Sequence, residues 1–363
     1  MKIIVLGTRG IPDIQGGVET HCQELYPRLI KLGCDVTLIT RKSYVQDLNI
    51  KEYQGVKLRH IFTPKKKSLE AIIHTLLGVL YARSHSPDIL HIHAIGPSLL
   101  VPFAKFLGLK VVVTNHGPDY DRQKWGKLAK KVLMFGEKFG SKYANKVIVI
   151  SNVIKNIQED RYNRMDCELI YNGVNLPNKS SQTDYISSLA LETGKYCIAV
   201  GRFVKEKGFH DLIEAYKKID TDIKLVLVGD ADHEDKYSKS LKQIGKDNGV
   251  VLTGFIKGEK LNQIFSHAKL FVMPSYHEGL PIALLEAMSY NLDVLVSDIP
   301  ANVEVQLEQS DYFKVGDVDN LAMKLKNKLD NTADRDFQKI IKERYNWDLI
   351  AKQTKSVYEK VLG

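Results

Sequence analysis

The feature that most constrains the fold is a repeated alternation of short apolar runs with longer amphipathic segments. In the first half, the apolar runs predict strands at 2–7, 35–40, 55–61, 89–93, 110–115 and 146–150, with helices near 17–32, 68–82, 97–106, 124–142 and 152–160. The second half repeats this alternation, with strands at 196–200, 224–229, 250–253, 270–274 and 293–297. Because each helix returns the chain to the same end of a sheet, the pattern predicts doubly wound parallel α/β sheets. Ligands of such sheets bind beyond the C-terminal strand ends.

Length and composition predict two domains. The chain has 363 residues, of which 44% are apolar, enough for two sizeable cores. The turn at 172–174 ends the first half, and the polar stretch 179–193 predicts a linker. We therefore expect domains at 1–178 and 179–345, with a last helix at about 346–363.

Charge is distributed unevenly between the halves. Residues 1–180 carry 27 Lys and Arg against 15 Asp and Glu, whereas residues 181–363 carry 25 against 28. No nucleic-acid-binding motif accompanies the basic half, so we expect no nucleic-acid partner. An anionic membrane surface or a phosphate-bearing acceptor fits this charge better.

Two basic segments are candidates for membrane contact. One is Lys65–Lys67, and the other is the helix that follows Lys124, in which lysines alternate with Trp125, Leu128, Phe135 and other apolar residues. Such a helix lies on an anionic leaflet or packs on a sheet with a solvated lysine face, and the sequence leaves both alternatives open.

The remaining composition favours a cytoplasmic protein. The four cysteines lack metal-like spacing and lie in or beside apolar stretches, which is typical of reduced core thiols (Cys22, Cys34, Cys167, Cys197). The N-terminal apolar run predicts a strand and not a signal peptide, and no run approaches the roughly 20 residues of a membrane span.

One strand-to-helix turn concentrates candidate chemistry. The predicted strand at 270–274 leads to Glu278, Gly279 and Leu280, and Glu286 follows inside the next helix, with seven residues between the two glutamates. Free amides at a helix start suit phosphate, and carboxylates suit sugar and ribose hydroxyls. The alternative is an ordinary turn with solvated glutamates. Glu286 argues against it, since it lies in an apolar run and needs a partner there.

Other candidates follow predicted strands. Gly16 and Gly17 open a helix after the first strand, which allows close approach of a ligand or simply forms a tight turn. Arg202 and Lys207 follow the strand at 196–200, and His116 follows the strand at 110–115. Arg and Lys on one loop suit a diphosphate, although a solvated basic loop is the alternative. We interpret His91 and His93 as structural, on opposite faces of their strand, and Asp230 and Asp232 as loop residues without metal.

Together these motifs resemble the retaining glycosyltransferases of family 4, which have the GT-B fold. The resemblance rests on Glu-x7-Glu with Gly-Leu-Pro inside it, on Arg202 and Lys207, and on the Gly-Gly loop, and it covers nearly the whole chain. Residues 7–12 and 16–20 are similar to a branch that includes bacterial rhamnosyltransferase-like polysaccharide enzymes. The resemblance implies two Rossmann-like domains facing a cleft, with the last helix crossing back onto the first domain.

The resemblance also implies roles for the candidate residues. Its catalytic group is Glu278, His116, Arg202 and Lys207. Its donor-binding group adds Gly16, Gly17, Phe255, Ile256, Gly279, Leu280 and Glu286. Its acceptor-side group is Asp119, Arg122 and Trp125. His116 would contact the transferred sugar, and backbone groups near Phe255 would contact the nucleobase.

The expected function is therefore retaining, metal-independent sugar transfer. The expected donor is a nucleotide diphosphate sugar, UDP- or GDP-linked, used as a co-substrate with no cofactor. The expected acceptor is a saccharide or lipid-linked saccharide of bacterial polysaccharide assembly, at the inner face of the plasma membrane. Two alternatives are a GT-B nucleotide-sugar epimerase and a non-catalytic nucleotide-sugar-binding module. A Rossmann dehydrogenase is disfavoured, because the dinucleotide glycine fingerprint is absent.

Overall fold

A computed structural model describes residues 1–14, 16–45, 47–64, 67–118, 120, 126–231 and 234–363. Its strands are β1 (Lys2–Leu6), β2 (Asp35–Arg41), β3 (Glu52–Tyr53), β4 (Val56–Ile61), β5 (Ile89–His93), β6 (Val111–Asn115), β7 (Lys146–Val149), β8 (Glu168–Leu169), β9 (Tyr196–Val200), β10 (Lys224–Val228), β11 (Val251–Gly254), β12 (Leu270–Met273), β13 (Asp293–Ser297) and β14 (Tyr312–Phe313). Its α-helices are α1 (Gly17–Lys31), α2 (Lys67–His85), α3 (Val101–Phe106), α4 (Lys127–Tyr143), α5 (Asn152–Tyr162), α6 (Asp184–Ser188), α7 (Phe209–Lys217), α8 (Lys236–Asp247), α9 (Glu259–His267), α10 (Ile282–Ser289), α11 (Pro300–Val303), α12 (Val318–Asp330), α13 (Gln338–Arg344) and α14 (Trp347–Leu362).

The chain divides into two compact units. Unit 1 comprises Met1–Gly173 and Tyr345–Gly363, and unit 2 comprises Val174–Arg344. Residues 174–178 thus belong to unit 2, although the sequence placed them in the first domain. The predicted linker at 179–193 is also packed, since it contains α6 and the Tyr185 amide donates to Gln263 Oε1 at 2.9 Å. Polar composition misled the prediction here, because this stretch packs on α9 through hydrogen bonds.

Unit 1 contains a sheet whose described strands follow the order β3-β4-β2-β1-β5-β6-β7-β8. Pairing is parallel except between β3 and β4. The order reverses at β1, which pairs with β2 on one side and β5 on the other. Strands such as β1 are apolar and buried because helices cover both faces of a parallel sheet.

The last helix, α14, is part of the core of unit 1. Its Ile350 and Val357 join a buried cluster with Leu25 and Leu29 of α1. The indole of Trp347 lies so close to Gly173 that a Cβ there would come 2.5 Å from Trp347 Cδ2. The close packing of Trp347 in unit 1 therefore requires a glycine at position 173.

Unit 2 contains a second sheet, which is parallel throughout its described strands, in the order β11-β10-β9-β12-β13-β14. Its order reverses at β9, which pairs with β10 and β12. In open α/β sheets, such a reversal leaves a crevice beyond the C-terminal strand ends where ligands bind. The loops after β9 and β12 border this crevice.

Candidate functional site

The loops that follow β9 and β12 in unit 2 contact each other directly. Lys207 Nζ lies 2.6 Å from Glu278 Oε1, although 71 positions separate the two residues along the chain. Ser275 Oγ also donates to Glu278 Oε1, at 2.7 Å, and the amide of Tyr276 donates to the carbonyl of Glu206 at 2.8 Å. We call residues 201–208, which contain Arg202 and Lys207, the cation loop, and residues 275–281, which contain Glu278, the glutamate turn. The structure thus brings these two segments together at the crevice of unit 2.

A glycine permits this close approach. Gly208 has φ +66°, and a Cβ there would lie 2.0 Å from the carbonyl oxygen of Pro274. Any side chain would clash with the backbone that follows β12. Gly208 therefore holds the end of the cation loop against the start of the glutamate turn.

The ion pair between Lys207 and Glu278 is largely shielded from water. The two side chains expose 19% and 11% of their surfaces, so solvent screens their attraction less than at an open surface. A lysine ammonium has three N–H donors, which lets Lys207 bind a phosphate while keeping its bond to Glu278. Arg202 is half-buried on the same loop.

The glutamate turn also presents backbone donors. The amides of Gly279 and Leu280 donate no hydrogen bond to any residue that the structure describes, and α10 begins at Ile282. Helix starts leave N–H groups without intrahelical partners and carry partial positive charge. An anion beside these amides would be stabilised together with Lys207.

Glu286 lies on α10 among buried apolar residues. Within the described residues, its carboxylate has no hydrogen-bond or ion-pair partner, and burial raises the pKa of Glu286 from 4.5 to about 7. Glu286 is half-buried, and a carboxylate without a protein partner at such a position suits an external donor such as a pair of hydroxyls. The predicted contact of Glu286 with ribose hydroxyls stays a prediction.

Phe255 and Ile256 follow β11 at the same edge of the unit 2 sheet. Phe255 is 52% exposed, and Gly254 turns the chain there with φ +68°. Their predicted contact with a nucleobase stays a prediction. Asp230 is paired with Lys242 at 2.8 Å, while Asp232 lies outside the described residues.

In unit 1, His116 lies just beyond β6 and its Nε2 is 2.9 Å from His93 Nδ1. His93 Nε2 in turn lies 2.5 Å from the hydroxyl of Tyr26, which also contacts His91 Nδ1 at 3.0 Å. The prediction that His91 and His93 face opposite sides is therefore wrong. Residues two apart on a strand share a face, because side chains alternate with period two.

The loop carrying His116 is anchored by a buried carboxylate that sequence reasoning missed. Glu137 of α4 accepts from Asn115 Nδ2 at 3.0 Å and from the hydroxyl of Tyr120 at 2.8 Å. Asn115 Oδ1 accepts from the amide of Gly117 at 2.9 Å, which closes the turn around His116. One indication of this anchor was present in the sequence, since Glu137 is the single acidic residue in a helix whose other charged residues are lysines.

The Gly-Gly loop is anchored to α1. Glu19 accepts from Arg9 at Nε (3.1 Å) and Nη2 (3.2 Å), and a Cβ on Gly16 would lie 2.1 Å from Glu19 Oε2. Gly16 precedes α1 and Gly17 begins it. The acceptor-side candidates Asp119, Arg122 and Trp125 lie outside the described residues.

Both halves of the chain match families of known proteins. Residues 15–177 match Glycosyltransferase Family 4, and residues 181–347 match the family described as Glycosyl transferases group 1. The chain belongs to glycosyltransferase family 4. The family 4 assignment made from the Glu-x7-Glu motif and its companions is confirmed, whereas the rhamnosyltransferase-like branch stays a prediction.

Similar proteins span nearly the whole chain. An uncharacterised glycosyltransferase of Methanocaldococcus jannaschii is 26% identical, with 99% of this chain and 98% of that protein covered. A putative teichuronic acid biosynthesis glycosyltransferase, TuaC of Bacillus subtilis, is 25% identical over 77% of this chain and 76% of its own length.

Solved structures confirm the GT-B fold. A sucrose-phosphate synthase from Thermosynechococcus elongatus has a TM-score of 0.83 at 20% identity, covering 99% of this chain and 98% of its own. HepE of Anabaena, in complex with UDP-glucose, has a TM-score of 0.81 at 19% identity, covering 99% and 100%. This family 4 glycosyltransferase is thus built from two parallel-sheet, Rossmann-like units.

Proposed function

We propose that this glycosyltransferase is a retaining enzyme that transfers a sugar from a nucleotide diphosphate sugar, UDP- or GDP-linked, to a saccharide or lipid-linked saccharide. The observation that carries the proposal is the convergence in unit 2 of Lys207, Glu278 and the amides of Gly279 and Leu280. A diphosphate needs cations and N–H donors on one side, and this crevice offers both. The complex of HepE with UDP-glucose supports a nucleotide-sugar donor.

The donor sugar and the ribose would use carboxylates on the same turn. Glu278 is held by Lys207 and Ser275 next to the anion-binding groups, where it would bind hydroxyls of the sugar. Glu286 would bind the ribose diol, which supplies the partner its carboxylate lacks in the described structure. Phe255 and Ile256 would contact the base.

Catalysis would depend on stabilising the leaving group. Arg202, Lys207 and the amides of Gly279 and Leu280 would neutralise charge that develops on the departing diphosphate, so no metal is required. We infer no protein nucleophile. The acceptor hydroxyl would attack the face that the diphosphate leaves, with a donor phosphate oxygen taking its proton, which retains the anomeric configuration.

Unit 1 would supply the acceptor side. His116, fixed between His93 and the Asn115–Glu137 anchor, would contact the transferred sugar, and the Gly16–Gly17 loop would approach the phosphates. Asp119, Arg122 and Trp125 remain the proposed acceptor residues. By the family resemblance, we propose bacterial polysaccharide or glycoconjugate assembly as the setting.

A contact with the inner face of the plasma membrane is proposed for α4. Its Leu128 and Phe135, seven positions apart, are 77% and 52% exposed, and five lysines lie along the same helix (Lys127, Lys130, Lys131, Lys138, Lys142). Exposed apolar side chains beside lysines favour an anionic lipid surface. Among the described residues, no helix combines the length and apolar character needed to span a bilayer.

Transfer is tested by incubating a panel of nucleotide sugars with the protein and a membrane extract. The proposal expects release of the nucleoside diphosphate, a product with the donor's anomeric configuration by NMR, and unchanged turnover in EDTA. Hydrolysis or isomerisation of the donor without acceptor would indicate the epimerase alternative instead. Binding without turnover of any donor would leave only a nucleotide-sugar-binding module.

A further inference from the structure

Three imidazoles converge at the strand-order reversal of unit 1. His21 comes from α1, His93 ends β5 and His116 follows β6, and one ring nitrogen of each lies within 4.8 Å of the others. His93 Nδ1 and His116 Nε2 are 2.9 Å apart. The centroids of the His21 and His116 rings are 4.9 Å apart.

The His21 ring carries a buried lone pair without a partner. Its Nδ1 lies 2.6 Å from Asn172 Oδ1, and because an amide oxygen only accepts, this nitrogen holds the proton. Nε2 is then an acceptor, and it is buried with no hydrogen-bond partner in the part of the chain that the structure describes. A buried polar atom of this kind indicates a missing ligand or water.

In His21 and His93, the ring nitrogen that faces away from the cluster has an oxygen partner, as is usual in histidine metal sites. Histidines that bind metal usually donate the other ring N–H to an oxygen, which fixes the ring and its tautomer. Asn172 Oδ1 occupies that position behind His21, and the hydroxyl of Tyr26 occupies it behind His93, 2.5 Å from Nε2. Burial also lowers the pKa of all three imidazoles, that of His21 to about 4, so they are neutral and ligand-competent at neutral pH.

We propose that His21, His93 and His116 form a three-histidine site for Zn²⁺ or a chemically similar divalent cation, and that the ion inhibits sugar transfer by withdrawing His116. Three histidines with an open fourth position are an established Zn²⁺ donor set. Zn²⁺ would replace the hydrogen bond between His93 and His116, and the proton on His116 would reside on Nδ1. His116 is half-buried and precedes Gly117, which has φ +119°.

Binding of Zn²⁺ to the three histidines can be tested without any enzymatic activity, whereas inhibition of sugar transfer rests on the proposed function. The full-length protein is therefore first titrated with Co²⁺ and Zn²⁺ after chelator treatment. The expected results are one ion per chain, the visible absorption of a four-coordinate Co²⁺ with nitrogen ligands, and displacement of Co²⁺ by Zn²⁺. No uptake, or six-coordinate Co²⁺ spectra, would overturn the proposal.

Matched variants assign the ion to this cluster. His21→Gln is expected to weaken Zn²⁺ binding by at least about tenfold, whereas His85→Ala, at an exposed position of α2, is expected to bind like the wild type. If His21→Gln does not fold, His116→Gln, at a less buried position, is expected to weaken Zn²⁺ binding by a similar factor. Unchanged Zn²⁺ affinity in a folded His21 or His116 variant would show that the ion binds elsewhere and refute the site.

Inhibition is measured separately on the transfer reaction. Zn²⁺ is expected to inhibit the wild type, with relief by chelator, and to leave the folded His21→Gln variant uninhibited. Equal inhibition of both proteins would overturn the inhibitory role. If the protein transfers no sugar at all, the proposed function fails, and the metal titrations still decide whether the site exists.

Discussion

Arg202 and Lys207 differ in position from Lys205, the third basic residue of their loop. Lys205 is exposed on the same loop, whereas Arg202 is half-buried at the end of β9 and Lys207 is paired with Glu278. Only a cation that faces the crevice can stabilise a leaving diphosphate there. The cation loop therefore contains its own control residue.

Arg202→Ala is expected to lower kcat/KM for the donor by about 10²-fold, the usual cost of removing one donor to developing charge. Lys205→Ala is expected to change it by less than about twofold. Steady-state release of nucleoside diphosphate measures both variants. Equal kinetics for Arg202→Ala and the wild type, with the fold intact by circular dichroism, would remove Arg202 from the site.

Glu286 gives the site a pH dependence. Its pKa is raised by burial to about 7, so Glu286 is a neutral carboxyl below that pH and a charged carboxylate with only acceptor atoms above it. Nucleotide affinity is expected to increase roughly tenfold from about pH 6 to about pH 8, and Glu286→Gln is expected to bind weakly and independently of pH. Calorimetry at both pH values tests this, and a pH-independent wild type would refute the ribose role.

The raised pKa of Glu286 also affects the stability of the unliganded protein, which is expected to fall as pH rises, whereas nucleotide affinity is expected to increase. Between the ordinary carboxyl pKa of 4.5 and about 7, folded Glu286 keeps a proton that the unfolded chain has lost. Stability therefore declines as pH rises through this window and levels above it. Thermal unfolding should show a smaller decline for Glu286→Gln than for the wild type.

At the scale of elements, α12 is held to unit 2 by a buried charge network. Lys328 Nζ lies 2.7 Å from Asp293 Oδ1 of β13 and 2.6 Å from Asp311 Oδ1, and Arg335 donates to Asp293 at 2.9 Å. Both aspartates are fully buried. This network lies at the N-terminal end of β13, on the opposite edge of the sheet from the crevice, so its role is structural.

Removing Lys328 would leave two buried carboxylates short of charge compensation. Lys328→Ala is expected to lower the free energy of unfolding by about 3 kcal/mol, while donor affinity of the folded protein is unchanged. Lys326→Ala removes an exposed pair with Asp330 on the same helix and an exposed hydrogen bond to the carbonyl of Asp220, and should cost about 1 kcal/mol. Denaturant titrations compare them, and similar midpoints would contradict the network's importance.

Many elements of this fold could be predicted from local sequence, because apolar runs and helix signals are local. Strand β5, for example, has the predicted bounds Ile89–His93, and α14 is one residue shorter at each end than the predicted 346–363. The contact of Lys207 with Glu278 could only be expected from the family resemblance, since it depends on β9 and β12 being neighbours. Strand order follows from the packing of the whole sheet, which local patterns do not contain.

The errors have equally physical causes. His91 and His93 share a face because the strand period is two, and their common partner, Tyr26, is more than 60 positions away. The stretch 179–193 has the composition of a linker, yet Ser180 and Tyr185 hydrogen-bond to α9. The anchor at Glu137 was missed because its partners lie on β6, the following loop and α5.

At the scale of the whole molecule, residues 1–180 carry a net charge of +12 and residues 181–363 a net charge of −3, so the overall +9 comes from the first half of the chain. Vesicles containing anionic lipid are expected to bind the protein at low salt, with affinity falling as salt screens the lysines. The double variant Leu128→Ser/Phe135→Ser is expected to lose most vesicle binding. Met323→Ser, at a 60% exposed position of α12, serves as the control. Cosedimentation measures binding, and equal binding by both variants would exclude α4 as the membrane surface.

The central claim is that Lys207 and the amides after β12 hold the donor diphosphate, and calorimetry of nucleoside diphosphate against the matching monophosphate tests it most directly. The wild type and Lys205→Ala are expected to bind the diphosphate at least about tenfold more tightly than the monophosphate, because a second phosphate reaches the ammonium of Lys207. Lys207→Ala is expected to lose most of that preference. A folded Lys207→Ala protein that keeps the full preference for diphosphate would contradict the claim.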